Sequence, residues 1–145
     1  MLSTHRYRII TIGKVKKLWL KEGIESYQKR LPGLSITSIK DSNSSKEYQQ
    51  IINLIKKDDY LISLTEEGIK MDSIRFSNHL KSLGSKKIVF ILGGPSGLPQ
   101  SIKNDSFDCL SLSSMTFPHE IAQLLLIEQI YRSLTISQDL SYHRE

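Results

Sequence analysis

The carboxyl-terminal residues combine the side chains that are needed to hold and deprotonate a nucleobase. Tyr142 offers a ring for stacking, His143 a group that titrates near neutral pH, and Arg144 a guanidinium that binds phosphate or a base edge. Chain ends more often have no such role, so composition alone identifies these three residues only as candidates for nucleobase binding.

A glycine-rich segment, Gly93–Gly97, follows the most apolar stretch of the chain, Ile88–Leu92. Glycine allows a ligand to approach backbone N–H and C=O groups because no Cβ intervenes. The alternative is a tight turn into the next helix. The segment is not a Walker A loop, since no Gly-Lys-Ser/Thr follows, and it is not a nucleophile elbow, since Leu98 stands two residues after Ser96 where glycine is required.

The stretch Leu112–Phe117 is a second candidate ligand loop, and it leads into a long apolar segment. Its hydroxyls can contact a ligand, but Thr116 can instead cap the following helix. His119 lies near that helix start, where the dipole disfavours its imidazolium, so a neutral structural role competes with a catalytic one.

Several classes of protein are excluded by cysteine, histidine and apolar patterning. The lone Cys109 cannot form an intramolecular disulfide or a multi-cysteine zinc site. The four histidines are far apart and lack metal-ligand spacing, namely His5, His79, His119 and His143. No apolar run is long enough for a membrane span, and Met1–Arg6 lacks the apolar core of a secretion signal. We therefore expect a cytoplasmic protein.

The positive charge is concentrated near the amino terminus. The 145 residues, 16.6 kDa, have a net charge of +5 and are enough for one domain, 1–145. Residues 1–40 hold nine basic and two acidic side chains, a balance of +7. The basic residues around Trp19 and Tyr27 are Lys14, Lys16, Lys17, Lys21, Lys29 and Arg30. They form either a solvated helix face or a surface that meets RNA.

The hydrophobic pattern predicts alternating strands and helices, and therefore an α/β fold with a mostly parallel sheet. Strands are predicted at Tyr7–Ile12, Leu34–Ile39, Tyr60–Leu64, Ile88–Leu92 and around Leu110–Leu112. Helices are predicted from about Leu20 to Leu31, from a Ser45 cap to Lys57, from Asp72 or Ser73 to Gly84, and from Pro118 to about Ile136, with a loop before the fifth strand. Ligands bind beyond the carboxyl ends of parallel strands. That rule selects Gly13, Leu64–Gly68, Gly93–Leu98 and Leu112–Phe117.

The last helix is apolar around much of its circumference, which indicates either a dimer interface or an ordinary helix that covers the sheet. Glu128 and Arg132 are spaced to pair on its surface.

Taken in order, these segments resemble the RlmH (YbeA-like) family, SPOUT-class RNA methyltransferases of bacteria, over nearly the whole chain. The matching residues are Ile12–Lys14, Lys21–Ile24 with Tyr27, Lys29-Arg30, Leu64–Gly68, Phe76, Ile91–Pro95 with Gly97-Leu98, Leu112-Ser113, Thr116, His119, Glu128-Gln129, Tyr131-Arg132 and Tyr142–Arg144. No single piece is specific, whereas their order and spacing are.

The resemblance implies a SPOUT fold with a C-terminal trefoil knot that binds S-adenosylmethionine. The implied cofactor residues are Leu64, Gly93, Leu112, Ser113, Ser114, Met115, Thr116 and Phe117. It implies a homodimer with active sites at the interface, and Tyr142, His143 and Arg144 as the catalytic residues, without a metal. The implied reaction is methylation of N3 of a pseudouridine in helix 69 of 23S rRNA, on assembled ribosomes.

Three alternatives stay open. The first is a SPOUT methyltransferase with another RNA target, such as tRNA. The second is a ribosome-binding or assembly factor without catalysis, motivated by the basic first third and by Gln123, which stands where many family members carry arginine. A small α/β hydrolase is a distant third, since no nucleophile motif is present.

Overall fold

The computed structural model describes residues 4–144, in which five strands alternate with five helices. The strands are β1 (Tyr7–Ile12), β2 (Ser35–Ile39), β3 (Tyr60–Lys70), β4 (Ile88–Leu92) and β5 (Asp108–Ser111). The helices are α1 (Leu18–Lys29), α2 (Ser44–Leu54), α3 (Ser73–Ser82), α4 (Gln100–Asp105) and α5 (His119–Ser137). Half of the amino-terminal stretch that lacks the apolar core of a secretion signal, Met1–Ser3, lies outside the described residues, as does Glu145.

All strand pairs are parallel, in the order β2-β1-β4-β3-β5. The predicted α/β class is therefore confirmed. Strand β4 lies between β1 and β3, and all five of its residues are buried, as its unbroken apolar sequence predicts. Because the strands are parallel, the carboxyl ends of β3, β4 and β5 meet at one edge.

Helices cover both faces of the sheet. Residues of α1, α3 and α5 pack on one face against alternate residues of β4, including Phe90. Residues of α2 and α4 pack on the other face against Val89 and Ile91. The alternation of β4 side chains between two cores follows from the two-residue period of a strand.

Helix α2 differs from its prediction at both ends. Its cap is Asn43 and not Ser45, because the Asn43 side chain accepts a hydrogen bond from the Lys46 amide at 2.9 Å. The helix ends at Leu54 and not at Lys57. Arg8 from β1 binds the Leu54 carbonyl and the Asp59 carboxylate, and these bonds hold the following chain in a turn. An ion pair across the fold thus overrides local helix propensity.

The region between β4 and β5 also differs from its prediction. A six-residue helix, α4, occupies the predicted loop and begins after Pro99. It buries Ile102 completely, and one apolar residue is too little for a periodic pattern to be recognised. Strand β5 ends at Ser111, so Leu112 begins the following loop and is not part of the strand.

Strand β3 continues to Lys70, six residues beyond the predicted end at Leu64. It contains a bulge, because Leu64 and Ile69 both pair with Leu110 of β5. The four residues between them, 65–68, leave the ladder and project from the carboxyl edge of the sheet. Gly68 closes the bulge, since a Cβ there would lie 2.6 Å from the carbonyl carbon of Cys109.

The bulge predicts opposite effects for two glycine-to-alanine substitutions. Gly68→Ala should lower the free energy of unfolding by about 1–3 kcal/mol. The added Cβ would collide with backbone atoms, which cannot move away as the end of a flexible side chain can. Gly23→Ala in α1 should change it by less than about 1 kcal/mol, in the stabilising direction. The Gly23 Cβ would make an ordinary contact with Leu124 at 3.4 Å. Urea denaturation of both variants measures this, and equal stabilities would contradict the assigned role of Gly68.

Candidate active site

A cavity of about 340 Å³ opens at the carboxyl edge of β3, β4 and β5. Its walls come from the β3 bulge, the glycine-rich segment after β4, and the loop after β5. Six of the residues expected to bind the cofactor line it, namely Leu64, Gly93, Leu112, Ser113, Met115 and Phe117. Ser114 and Thr116 belong to the same loop but are not among the lining residues. The strand-end rule therefore located the cavity, and the binding role of these residues stays a prediction.

The glycine-rich segment is both a tight turn and a cavity wall. A Cβ on Gly93 would lie 2.5 Å from the carbonyl carbon of Gly97, so the turn itself requires glycine there. Gly97 has a φ of +78°, and its amide donates to the Gly94 carbonyl at 3.0 Å. The two interpretations of this segment are compatible, because the compact turn presents backbone to the cavity.

Short hydrogen bonds fix the loop after β5. The Ser111 hydroxyl donates to the Ser113 carbonyl at 2.8 Å, and the Met115 amide donates to the Ser113 hydroxyl at 3.0 Å. The suggested cap at Thr116 is wrong, because the N-cap of α5 is Pro118, with no side-chain cap. The Thr116 hydroxyl instead donates to Glu66 at 3.1 Å and joins this loop to the β3 bulge.

The strand-end rule selected the segment that contains Glu66 and Glu67, but neither glutamate was predicted as a site residue, and Lys103 was not predicted at all. Glu66 and Glu67 project from the bulge, and Lys103 of α4 lies 3.4 Å from the Glu67 carboxylate. Two adjacent glutamates before a glycine, at the end of a buried strand, were the available indication. They give the cavity a charged side that can accept hydrogen bonds from a ligand.

The start of α5 connects this cavity to the segment that follows β1. His119 lines the cavity, and a Cβ on Gly13 would lie 4.0 Å from its Nε2 atom. Glu120 accepts hydrogen bonds from the Lys16 amide at 2.7 Å and the Lys17 amide at 3.4 Å. The Lys16 bond is the main reason that the pKa of Glu120 lies below its usual value. The carboxylate therefore keeps its charge, and the contact, to a lower pH than an unpartnered glutamate would.

The carboxyl-terminal candidates form a separate cluster around Glu128. The Tyr142 hydroxyl donates to Glu128 at 2.7 Å and lies 2.8 Å from the Tyr27 hydroxyl. The predicted pairing of Arg132 with Glu128 is confirmed at 2.7 Å, and Arg132 also donates to Nδ1 of His143 at 3.1 Å. The ion pair is therefore the anchor of the tail and not an isolated surface contact.

Aromatic contacts complete this cluster. The rings of Tyr131 and Tyr142 meet edge to face with centroids 4.7 Å apart. The Arg132 guanidinium lies 4.8 Å from the centroid of the Tyr142 ring. Such contacts favour a fixed ring orientation beyond the area that they bury.

The electrostatics of the cluster determine which groups are hydrogen-bond donors and which are acceptors. Burial, together with the hydrogen bonds to Tyr27 and Glu128, raises the pKa of Tyr142. Its hydroxyl stays protonated at neutral pH, so Tyr142 is a hydrogen-bond donor and not a base. An arginine can only donate, so Nδ1 of His143 must accept and the proton of the neutral ring sits on Nε2. That Nε2 atom is buried and has no hydrogen-bond partner among the described residues.

The cavity and the tail lie at different levels of α5. The last α5 residue that lines the cavity is Ala122, whereas the tail is anchored at Glu128 and Arg132. The six residues from Ala122 to Glu128 and the ten to Arg132 correspond to about 9 and 15 Å of helix. Within residues 4–144, none of the lining residues comes from Tyr142, His143 or Arg144. A single chain does not bring the two candidate sets together.

Comparison with known proteins identifies the family. A family model described as "Predicted SPOUT methyltransferase" matches residues 5–143. A protein of Prochlorococcus marinus named "Ribosomal RNA large subunit methyltransferase H" is 53% identical over 145 residues, which is 100% of both chains. This chain belongs to that family of SPOUT methyltransferases.

Solved structures of a probable methylase and of a SpoU methyltransferase have the same fold. A probable methylase family protein from Haemophilus influenzae aligns with a TM-score of 0.63 at 8% identity, covering 97% of this chain and 71% of that one. The SpoU methyltransferase AviRb from Streptomyces viridochromogenes, in complex with the cofactor AdoMet, aligns with a TM-score of 0.52 at 9% identity. That alignment covers 92% of this chain and 58% of AviRb. The trefoil knot that SPOUT membership implies stays a prediction.

Three further findings concern Gln123, membrane-spanning helices and metal ligands. Gln123, which stands where many family members carry arginine, is only 6% exposed. Its side chain therefore does not form an accessible contact surface in place of that arginine. Between Thr4 and Arg144, no helix is long and apolar enough to cross a membrane. The same range contains no group of three or more His, Cys, Asp or Glu side chains placed to hold a metal ion.

The anchoring role of Glu128 predicts that Glu128→Gln frees the tail. Loss of the charge weakens the bonds from Arg132 and Tyr142, which as charge-assisted bonds contribute about 1.5–3 kcal/mol each. We expect NMR order parameters of residues 141–144 to fall from about 0.85 to below about 0.6. Glu25→Gln, an exposed carboxylate of α1, is the matched control. Unchanged order parameters in Glu128→Gln would contradict the anchoring role.

Proposed function

We propose that this protein uses S-adenosylmethionine to methylate N3 of a pseudouridine in helix 69 of 23S rRNA, on assembled ribosomes in the cytoplasm. The observation that carries the proposal is the cavity at the carboxyl edge, which gathers three separate segments in a chain of this family. The relatives are named for methylation of large-subunit ribosomal RNA, and the +7 balance of residues 1–40 suits a polyanionic substrate.

The cavity fits the methyl donor in size and in chemistry. A volume of about 340 Å³ lies within the range of about 300–1,000 Å³ that is typical of small-molecule sites. Leu64, Leu112 and Phe117 provide apolar surface for a purine, and the Gly93–Gly97 backbone provides peptide groups for its edge. The Glu66 and Glu67 carboxylates can accept bonds from ribose hydroxyls. S-adenosylmethionine, when bound, supplies a methyl group on a positively charged sulfur.

The tail residues supply the substrate side of the reaction. The Tyr142 ring, fixed by Glu128 and Tyr131, orients the base by stacking. His143 is the candidate for proton handling, and because its Nε2 atom is buried and its Nδ1 atom is bonded to Arg132, it reaches the substrate only after the tail moves. Arg144 is exposed and contacts a uracil oxygen, where its charge favours the imide that has lost the N3 proton. Positioning provides most of the remaining acceleration.

A homodimer joins the cavity to a tail. Because about 9–15 Å of α5 separates Ala122 from the two anchors of the tail within one chain, we infer that the tail of a second copy faces the cavity. Apolar side chains of α5 that are only partly buried, including Ile121, Leu125 and Ile136, provide surface for such an interface. Each active site then contains residues from both copies.

The proposal predicts label transfer from S-adenosylmethionine to ribosomes of cells that lack the modification. Label should appear on the helix 69 pseudouridine, and far less on ribosomes with uridine at that position. Arg144→Ala should lower kcat by about 100-fold, as removal of one charge-stabilising donor does, and leave the dissociation constant of S-adenosylmethionine unchanged. Ribosome binding without label on either substrate would refute the activity. Label on tRNA alone would show that tRNA, and not 23S rRNA, is the substrate.

A mixing experiment tests whether the site is shared between copies. Ala122→Trp fills the cavity, and Arg144→Ala disables the tail, so each variant alone should be inactive. Random mixed dimers contain one intact site in half of the molecules, so co-expression should restore about a quarter of wild-type activity. No restoration, with mixed dimers confirmed by mass spectrometry, would show that each cavity uses its own tail.

A further inference from the structure

Two large apolar side chains stand exposed within a lysine cluster. Trp19 is 59% exposed and Leu18 is 68% exposed at the start of α1, whereas Leu20 and Ile24 on the same helix are buried. The exposed lysines around them are Lys14, Lys16, Lys17 and Lys21. Residues 13–21 contain no acidic side chain, and the acidic residues of α1 lie beyond them at Glu22 and Glu25. Leu18 and Trp19 are adjacent and together form an exposed apolar patch, and patches of this kind can mark interaction sites.

This cluster is fixed beside the candidate active site. Glu120 at the start of α5 holds the Lys16 and Lys17 amides at 2.7 and 3.4 Å. The same first turn of α5 contributes Ala122 to the cavity, and His119 lies between the cavity and Gly13. The platform formed by residues 14–21 is therefore continuous with the cavity mouth and is not a remote surface patch.

We propose that the Lys14–Lys21 platform binds unpaired RNA next to the target nucleotide, with Trp19 stacking on one base and the lysines contacting the flanking phosphates. An exposed indole among lysines has the composition of a single-strand binding platform, in which an aromatic ring stacks on a base and cations follow the backbone. The local charge of four lysines disfavours contact with the same surface of a second copy. The inference rests on the proposed function, since it assigns the RNA-binding surface of that site.

The chain offers a direct measurement, because Trp19 is its only tryptophan. Stacking on a base should quench the indole fluorescence when a short oligouridylate is added to the full-length protein without any cofactor. Trp19→Ala should weaken binding of a dye-labelled oligouridylate by about five- to hundredfold, and Trp19→Phe should retain most of the affinity. Phe107→Ala is the control, because Phe107 is 69% exposed on the Tyr60 ring, at the amino ends of the strands.

The salt dependence of RNA binding distinguishes the contribution of the lysines from that of the Trp19 ring. Lys16→Gln should reduce the slope of log affinity against log salt by about 0.7 if that side chain contacts a phosphate. Trp19→Ala should leave the slope unchanged. In the methylation assay, Trp19→Ala should raise KM for ribosomes by a similar factor and leave the dissociation constant of S-adenosylmethionine unchanged.

Each remaining outcome has a defined meaning. If Trp19→Ala binds oligouridylate as tightly as the wild type and has the same KM for ribosomes, the proposed RNA platform is wrong. Methylation by the wild type would still support the proposed function in that case. Conversion of the Trp19→Ala dimer to a monomer in sedimentation would assign the surface to contact between copies and also overturn it. If Trp19→Ala does not fold, unchanged salt slopes in the Lys16→Gln and Lys21→Gln variants would overturn it. An inactive wild type whose tryptophan is quenched by oligouridylate would refute the enzyme and retain the platform.

Discussion

The arrangement of the candidate site depends on the return of β3 to β5 after its bulge. Leu64 and Ile69 both pair with Leu110, and the return is possible because Gly68 lets the two backbones approach within the space of a Cβ. This pairing turns the end of one strand into a cavity wall that carries two carboxylates. The loop after β5 is then held against that wall through Thr116 and Glu66. A local backbone constraint thus determines where polar groups face the cavity.

Helix α5 divides the functional groups between its two ends. Its first turn contributes to the cavity and fixes the lysine platform through Glu120, whereas its later turns anchor the tail through Glu128 and Arg132. A rigid helix keeps these groups apart, so one chain cannot place its own tail in its own cavity without unfolding part of the anchor. The homodimer that we propose resolves this separation, because a second copy brings its own tail to the cavity.

The sequence predicted the parts of the fold whose pattern is strong and local. The run Ile88–Leu92 predicted a central strand, and the strand-end rule selected three of the segments that line the cavity. It could not predict the β3 bulge, because a strand that leaves and rejoins its partner has no simple period. The α2 boundary depended on Arg8, 46 residues away from Leu54 in the sequence, and such contacts are invisible to local propensity. The tail residues were nominated by their chemistry, but their distance from the cavity required the structure.

The central claim is that one site is built from the cavity of one copy and the tail of another. A crystal structure with bound S-adenosylhomocysteine tests it most directly, because it locates the ligand and both tails at once. The account predicts the ligand between the β3 bulge and the loop after β5, with Arg144 of the partner subunit facing the sulfur side of the cavity. A ligand bound elsewhere, or a cavity that faces no tail from a second copy, would contradict the account.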